Sequence, residues 1–227
     1  MFPVISISGH GTDTLSLNAE NSRPQELLVY RDSQILYNGK LWYKKHTNVH
    51  GNEFFSSALW NRGDVFINDR IYRNNDLRYD ILNDDLLIRR SDGVIIIMNS
   101  EMISAFSISI GEKEYQFRNF REKDGFGFDG YANVLYDGKT ALLLKPVKEI
   151  LPLGYQKIYD LFVQTDYLYV KKDRTVTRIR SRKGLLDLLK DREKEIRNYI
   201  RASRVDVFPR QPWTIIPVLM YYDSLSD

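Results

Sequence analysis

Four clusters in the chain carry side chains that could do chemistry, and each implies a different kind. His46 and His50 stand four residues apart with Glu53 close behind, a combination that suggests metal ligands. That spacing converges on a metal only from a helix. Here the intervening Thr47-Asn48-Val49 and the following Gly51-Asn52 read as a loop, so no metal site is expected. Asp80, Asp84 and Asp85 could supply paired carboxylates for general acid–base work, which requires two carboxylates in different environments across a cleft. They flank Asn83-Asp84, a turn in which such side chains bond nearby backbone amides, and the turn role fits better. No histidine can be assigned as base to a particular serine, so a hydrolase triad has no support.

Gly125-Phe126-Gly127-Phe128-Asp129-Gly130 has closely spaced glycines. A phosphate cradle would need a strand before it and a helix N-terminus after it. Polar residues precede the loop and no helical pattern follows, so Phe126 and Phe128 are expected to touch either the core or a partner. The basic stretch is the most suggestive feature. Residues 171–210 hold fourteen Lys/Arg against six Asp/Glu, although the whole chain carries only +3. Arg174, Arg178, Arg180, Arg182 and Lys183 run along a strand and a helix entry, and alternate strand positions such as Arg178 and Arg180 project to one side. These cations, with Phe126 and Phe128, are the candidate partner-binding residues. They could meet an acidic protein, acidic headgroups or phosphates. Interleaved Asp187, Asp191, Glu193 and Glu195 dilute the field and fit an ordinary solvated helix face, which disfavours nucleic acid. No catalytic residue, metal or cofactor is expected.

The elements that must position these residues are mostly strands. Asn38-Gly39, Asn68-Asp69, Asn83-Asp84, Ser91-Asp92-Gly93, Gly111-Glu112-Lys113, Asp137-Gly138 and Lys172-Asp173 each separate two apolar or alternating runs, the pattern of tight hairpins. Asn38-Gly39 is expected to join Ile35-Leu36-Tyr37 to Leu41-Trp42-Tyr43. Met102, Phe106, Ile108 and Ile110 share one face, with Ser107 and Ser109 opposite, which is the period of a strand. After Ile179 the period changes to that of a helix through Leu185, Leu188, Leu189, Ile196, Tyr199 and Ile200. Ser181 is placed to cap it, and Glu193 and Arg197 are one turn apart. A shorter helix is expected from Pro212 to Tyr222, kinked or cut short by Pro217.

The resulting fold class is mainly β (α+β), a meandering antiparallel curved sheet forming a roll or partial barrel, with C-terminal helices. The boundaries expected are a polar lead-in over residues 1–34 with a strand near Leu27-Leu28-Val29-Tyr30, a β domain over 35–180, and a helical segment over 181–227. Composition agrees: 43% hydrophobic residues indicate a globular chain, and 15 Tyr with 11 Phe suit strands that have one wet face. No run reaches the roughly 20 apolar residues of a membrane-spanning helix. The absence of cysteine is compatible with the cytoplasm and with export. Met1-Phe2-Pro3-Val4 lacks the charged start and apolar run of a signal peptide, which fits a cytoplasmic protein or a mature exported one.

Two stretches resemble a group of exported β-rich proteins of Bacteroidetes-type bacteria for which no activity is established. One is Gly51, Phe54-Phe55, Trp60, Gly63 and Val65, followed by Tyr72, Leu77, Tyr79-Asp80-Ile81, Asp84 and Leu86. The other is Ser181-Arg182-Lys183-Gly184-Leu185-Leu186, the charged helix after it, and Tyr221-Tyr222-Asp223-Ser224-Leu225. The likeness spans roughly residues 35–225. It implies a periplasmic or outer-membrane-associated location with the signal peptide removed, and it carries over no functional residue. The expected function is a non-enzymatic cell-envelope binding or assembly module, whose partner is another envelope protein or an acidic or apolar ligand. The alternatives are a periplasmic carrier of a lipid or other apolar ligand and, less favoured, a nucleic-acid binder acting through residues 171–210.

Overall fold

Polar turns cut the chain into short antiparallel strands, and a computed structural model describing residues 34–225 shows how they join. The chain divides into two units, Met1–Ile35 and Leu36–Asp227, and the sheet belongs to the second. The strand expected at Leu27–Tyr30, and nearly all of the expected lead-in, lie outside the described residues. The strands are β1 (Gly39–Leu41), β2 (Val49–His50), β3 (Asn61–Ile67), β4 (Arg70–Asp80), β5 (Asp85–Arg89) and β6 (Ile95–Met98). They continue with β7 (Ile103–Ile110), β8 (Lys113–Phe120), β9 (Gly130–Asp137), β10 (Thr140–Tyr155), β11 (Tyr159–Lys172) and β12 (Thr175–Arg178). All twelve join one sheet in the order β1-β6-β5-β4-β3-β7-β8-β9-β10-β11-β12, while β2 pairs in parallel with the start of β11. The protein is mainly β, with a large open curved antiparallel sheet and C-terminal helices.

Most of the turn signals operate as their chemistry dictates. Asn68 and Asp69 both take left-handed φ (48° and 61°) between β3 and β4, as a two-residue hairpin requires. Asp84, Gly93, Gly111 and Asp173 likewise carry positive φ at strand reversals. Asn38-Gly39 does not. Ile35–Tyr37 is a 3₁₀ turn, and Gly39 begins β1, which pairs with β6. A Cβ on Gly39 would stand 1.9 Å from the Ile97 carbonyl oxygen, so the glycine serves close strand approach there rather than a reversal.

Curvature follows from side-chain contact across the sheet. β4 and β9 are separated by three intervening strands, which in a flat sheet would put them about 19 Å apart at ~4.8 Å per step. Yet the rings of Tyr79 on β4 and Tyr131 on β9 lie 5.8 Å apart, edge to face. The Lys148 N–H of β10 donates to the Ile81 carbonyl just beyond β4, at 2.9 Å. The sheet therefore rolls around a fully buried aromatic core of Tyr79, Phe106, Phe117 and Tyr131, whose ring contacts are each worth about 0.5–1.5 kcal/mol beyond burial.

The helices cover one face of the last strands. They are α1 (Arg182–Leu188), α2 (Glu193–Ala202) and α3 (Ile216–Ser224). Leu185, Leu189, Ile196, Ile200, Val218 and Leu219 pack with Leu142, Leu168 and Val170 of β10 and β11. Ser181 caps α1, its Oγ accepting from the Gly184 N–H at 3.1 Å, and Arg197 donates to Glu193 at 2.7 Å. The single helix expected across Leu185–Ile200 is broken by a 3₁₀ turn at Lys190–Arg192. Its apolar stripe lapses between Leu189 and Ile196, and the break re-aims the second half onto the core. Pro217 neither kinks nor shortens the last helix. It sits in the first turn of α3, where its missing N–H has no partner to lose, and a separate 3₁₀ turn at Pro212–Thr214 precedes it. No helix among the described residues is long and apolar enough to cross a membrane.

Candidate functional site

The unequal lengths of β11 and β12 create the most distinctive surface. β12 pairs only with Tyr169–Lys172, and the Ile179 N–H adds one more bond to the Leu168 carbonyl at 2.8 Å. The chain then leaves for α1. At the other end of β11, β2 covers only Asp160 and Leu161. Val163, Gln164, Thr165 and Asp166 between them are exposed. Beside this stretch lies a groove of about 760 Å³, walled opposite by Pro209, Arg210, Pro212 and Trp213 from the segment before α3. Leu144, Leu168 and Ile179 form its apolar floor, and Arg178, Arg180 and Arg210 its charge.

Each cation is poised rather than neutralised. Arg178 lies over the Tyr167 ring at 4.0 Å, a geometry that fixes the guanidinium without consuming its donors. No ion pair among the described residues involves Arg178, Arg180 or Arg210. The one acid in the lining, Asp166, accepts from Gln164 Nε2 at 2.8 Å. Trp213 leaves 63% of its surface in solvent, a large and mostly uncovered ring. Burial raises the Tyr169 hydroxyl above its ordinary pKa, and nearby Arg178 and Arg180 pull it back.

The candidate residues from the sequence are dispersed. Arg178 and Arg180 line the groove together. Arg174 follows Asp173 in the β11–β12 turn, exposed and outside the groove lining. Arg182 lines a separate cavity of about 390 Å³ with Arg197, Arg201, Arg204 and Asp206. Lys183 is exposed on α1 and lines neither. Phe126 and Phe128 are half-buried and fold back onto the sheet, Phe126 against Phe120 at 4.6 Å and Phe128 against Tyr169 at 4.6 Å. Gln164, Tyr167, Arg210 and Trp213 were not singled out by sequence. The available signal was the Pro209-Arg210-Gln211-Pro212-Trp213 run, whose prolines prevent a regular helix and hold a cation and an indole on a turn.

The other clusters are engaged in structure. His50 stacks on Tyr155 at 3.6 Å, and His46 meets the Phe162 ring edge-on at 5.9 Å. Asp80 is buried and accepts from the Leu82 and Asn83 N–H groups and from Asn83 Nδ2, at 2.9, 3.1 and 2.8 Å. All three bonds close the turn that follows β4. Asp84 accepts from the Tyr79 hydroxyl at 2.5 Å and from Lys145 Nζ at 3.0 Å, linking the β4–β5 turn to β10. Asp85 lines a cavity of about 180 Å³ with Glu53, Asp80 and Lys40, among others. Burial first, then the neighbouring Asp80 and Asp84, push its carboxyl above the usual range. Burial lowers the Lys148 ammonium, which donates to the Asn52 and Phe54 carbonyls at 2.8 and 2.6 Å.

Side chains in the Phe54–Leu86 and Tyr221–Leu225 stretches are engaged in packing and hydrogen bonding within the fold. Arg78 is held between the Phe54 and Trp60 rings at 4.4 and 4.2 Å. Tyr221 stacks on Tyr199 at 4.2 Å, and Tyr222 donates to Asp191 at 2.7 Å. Asp223 accepts from the Tyr136 hydroxyl at 2.8 Å and from the Thr140 N–H at 3.0 Å. Comparison of the chain with protein-family models, with curated proteins and with solved structures returned no match.

Proposed function

We propose that the chain is a non-enzymatic binding or assembly module of the bacterial cell envelope, and that the groove beside β11 is where it meets its partner. The observation that carries this reading is the set of unpaired arginines, Arg178, Arg180 and Arg210, gathered around an exposed strand segment and an exposed indole. Arginines outside any ion pair and an exposed indole, grouped in one concavity, are the composition of a recognition surface. The envelope location rests on the resemblance to exported β-rich proteins described above. The carrier alternative would need an apolar hollow inside the curve, and the space there is filled by Tyr79, Phe106, Phe117 and Tyr131. That filling favours a surface site over an enclosed one.

The test is a photoreactive amino acid placed at Trp213 in the living bacterial host, followed by fractionation. The reading expects a discrete adduct in the envelope fraction. Irradiation that yields no adduct, or one found only among cytoplasmic proteins, would contradict it.

A further inference from the structure

The groove also states what kind of chain would fit it. Backbone groups in a strand point alternately to its two neighbours. β10 occupies one side of β11 throughout, with Val163 opposite Glu149, Thr165 opposite Val147 and Tyr167 opposite Lys145. On the other side the Leu168 carbonyl is taken by the Ile179 N–H. By the same two-residue alternation, the N–H and C=O of Gln164 and Asp166 point to that second side, where no strand among the described residues pairs with them. Between β2 at one end and β12 at the other, the open edge from Phe162 to Tyr167 is about 20 Å long at ~3.3 Å per residue.

An unpaired edge of this length is a template for another strand, and folded proteins normally blunt or cover it. Here it is instead flanked by a shaped groove. Arg178, opposite Tyr169 in register and stacked on Tyr167, marks one face of the sheet, and Arg180, just past the end of β12, also lines the groove. Leu168 and Ile179, both buried against the helices, mark the other face, which Trp213 borders. We infer that the groove takes an extended acidic polypeptide segment, which adds to β11 as a strand and alternates carboxylates toward Arg178 and Arg180 with apolar side chains toward Trp213. Main-chain pairing with Gln164 and Asp166 supplies affinity, and the two faces supply selectivity. This deepens the reading of the groove as a partner site and rests on it. A nucleic acid could answer the arginines but has no repeating amide and carbonyl to pair with the strand edge.

The test uses the full chain and a fluorescent octapeptide of alternating valine and glutamate, followed by polarisation. The inference expects saturable binding. Affinity falls at least about tenfold when alternate amides of the peptide are N-methylated, and no binding is seen when lysine replaces glutamate. Asp166→Pro, which removes an outward N–H, lowers affinity by about tenfold or more, as does Arg180→Glu. The second variant changes only an exposed side chain and keeps the test decisive if the first fails to fold. Equal binding of the N-methylated peptide, or an oligothymidylate of the same charge binding as tightly, would overturn the inference in favour of a surface that senses charge alone. Binding of none of the probes would also overturn it, whereas the partner-site reading would still stand if the Trp213 adduct formed in cells.

Discussion

Arg178 lies 4.0 Å from the centre of the Tyr167 ring, at the point where β12 stops covering β11. The ring holds the guanidinium at the mouth of the groove and leaves its N–H donors free for a carboxylate. Exposed pairs of this kind stabilise a fold by only about 0.5–1 kcal/mol. Arg178→Ala should therefore change the thermal midpoint little while weakening the valine–glutamate peptide severalfold. Tyr167→Ala should weaken it in the same direction but less, because it frees the cation without removing it. Polarisation titrations alongside thermal melts separate the two effects; a large loss of stability with unchanged affinity would place Arg178 in the scaffold instead.

Asp85 stands opposite Asp80 in the β4–β5 register and close to Asp84. Its folded-state pKa is raised, by burial first and then by those two carboxylates. A group raised on folding favours the native state below its unfolded pKa and opposes it as pH rises through the folded value. Asp85→Asn should thus raise the melting temperature at neutral pH. The difference should shrink to nothing as pH falls below the ordinary carboxylate range, which paired melts across pH would record.

Asp223 ties α3 to the β9–β10 hairpin by accepting from the Tyr136 hydroxyl and the buried Thr140 N–H. Asp223→Ala would leave that amide without an acceptor and should cost about 1–3 kcal/mol in denaturant unfolding. Burial, with the hydrogen bond and charge of Asp223, pushes the Tyr136 hydroxyl up to about 12. Asp223→Asn should let it fall back toward the ordinary tyrosine value, a change visible in NMR titration of labelled tyrosine. A Tyr136 titration unmoved by the substitution would mean that the pair does not form in solution.

Gly130 opens β9 with φ of +92°, and a Cβ there would stand 1.5 Å from Asp84 Oδ2. That oxygen is the one paired with Lys145. Gly130→Ala should consequently destabilise by more than about 2 kcal/mol, since both strain and a displaced partly buried ion pair are involved. A cost within a few tenths of a kcal/mol would show that the turn can shift without breaking the Asp84–Lys145 link.

How far the sequence predicts this arrangement depends on the range of the forces involved. Asn68-Asp69 and Ser181 act within a few residues, and their turn and cap follow from local chemistry. Asn38-Gly39 shows the limit: the same dipeptide signal was overridden because Gly39 must lie against the Ile97 carbonyl, a demand set nearly sixty positions away. Arg178 and Arg180 both line the groove, although β12 ends at Arg178 and strand alternation does not reach Arg180. Arg210 and Trp213 were not legible, since only the folding of the helical segment over β10 and β11 brings them to the groove. The open edge itself was invisible, because it arises from the mismatch between the lengths of β11 and β12 rather than from any residue type.

A partner strand on β11 would cover the edge at Gln164 and Asp166, and backbone amide exchange reads that edge directly. In the free protein the Gln164 and Asp166 amides should exchange rapidly, while those of Thr165 and Tyr167, which face β10, exchange slowly. Saturation with the valine–glutamate peptide should then protect Gln164 and Asp166 and leave the inward pair unchanged. Peptide binding that leaves Gln164 and Asp166 as fast as before would contradict strand addition to β11.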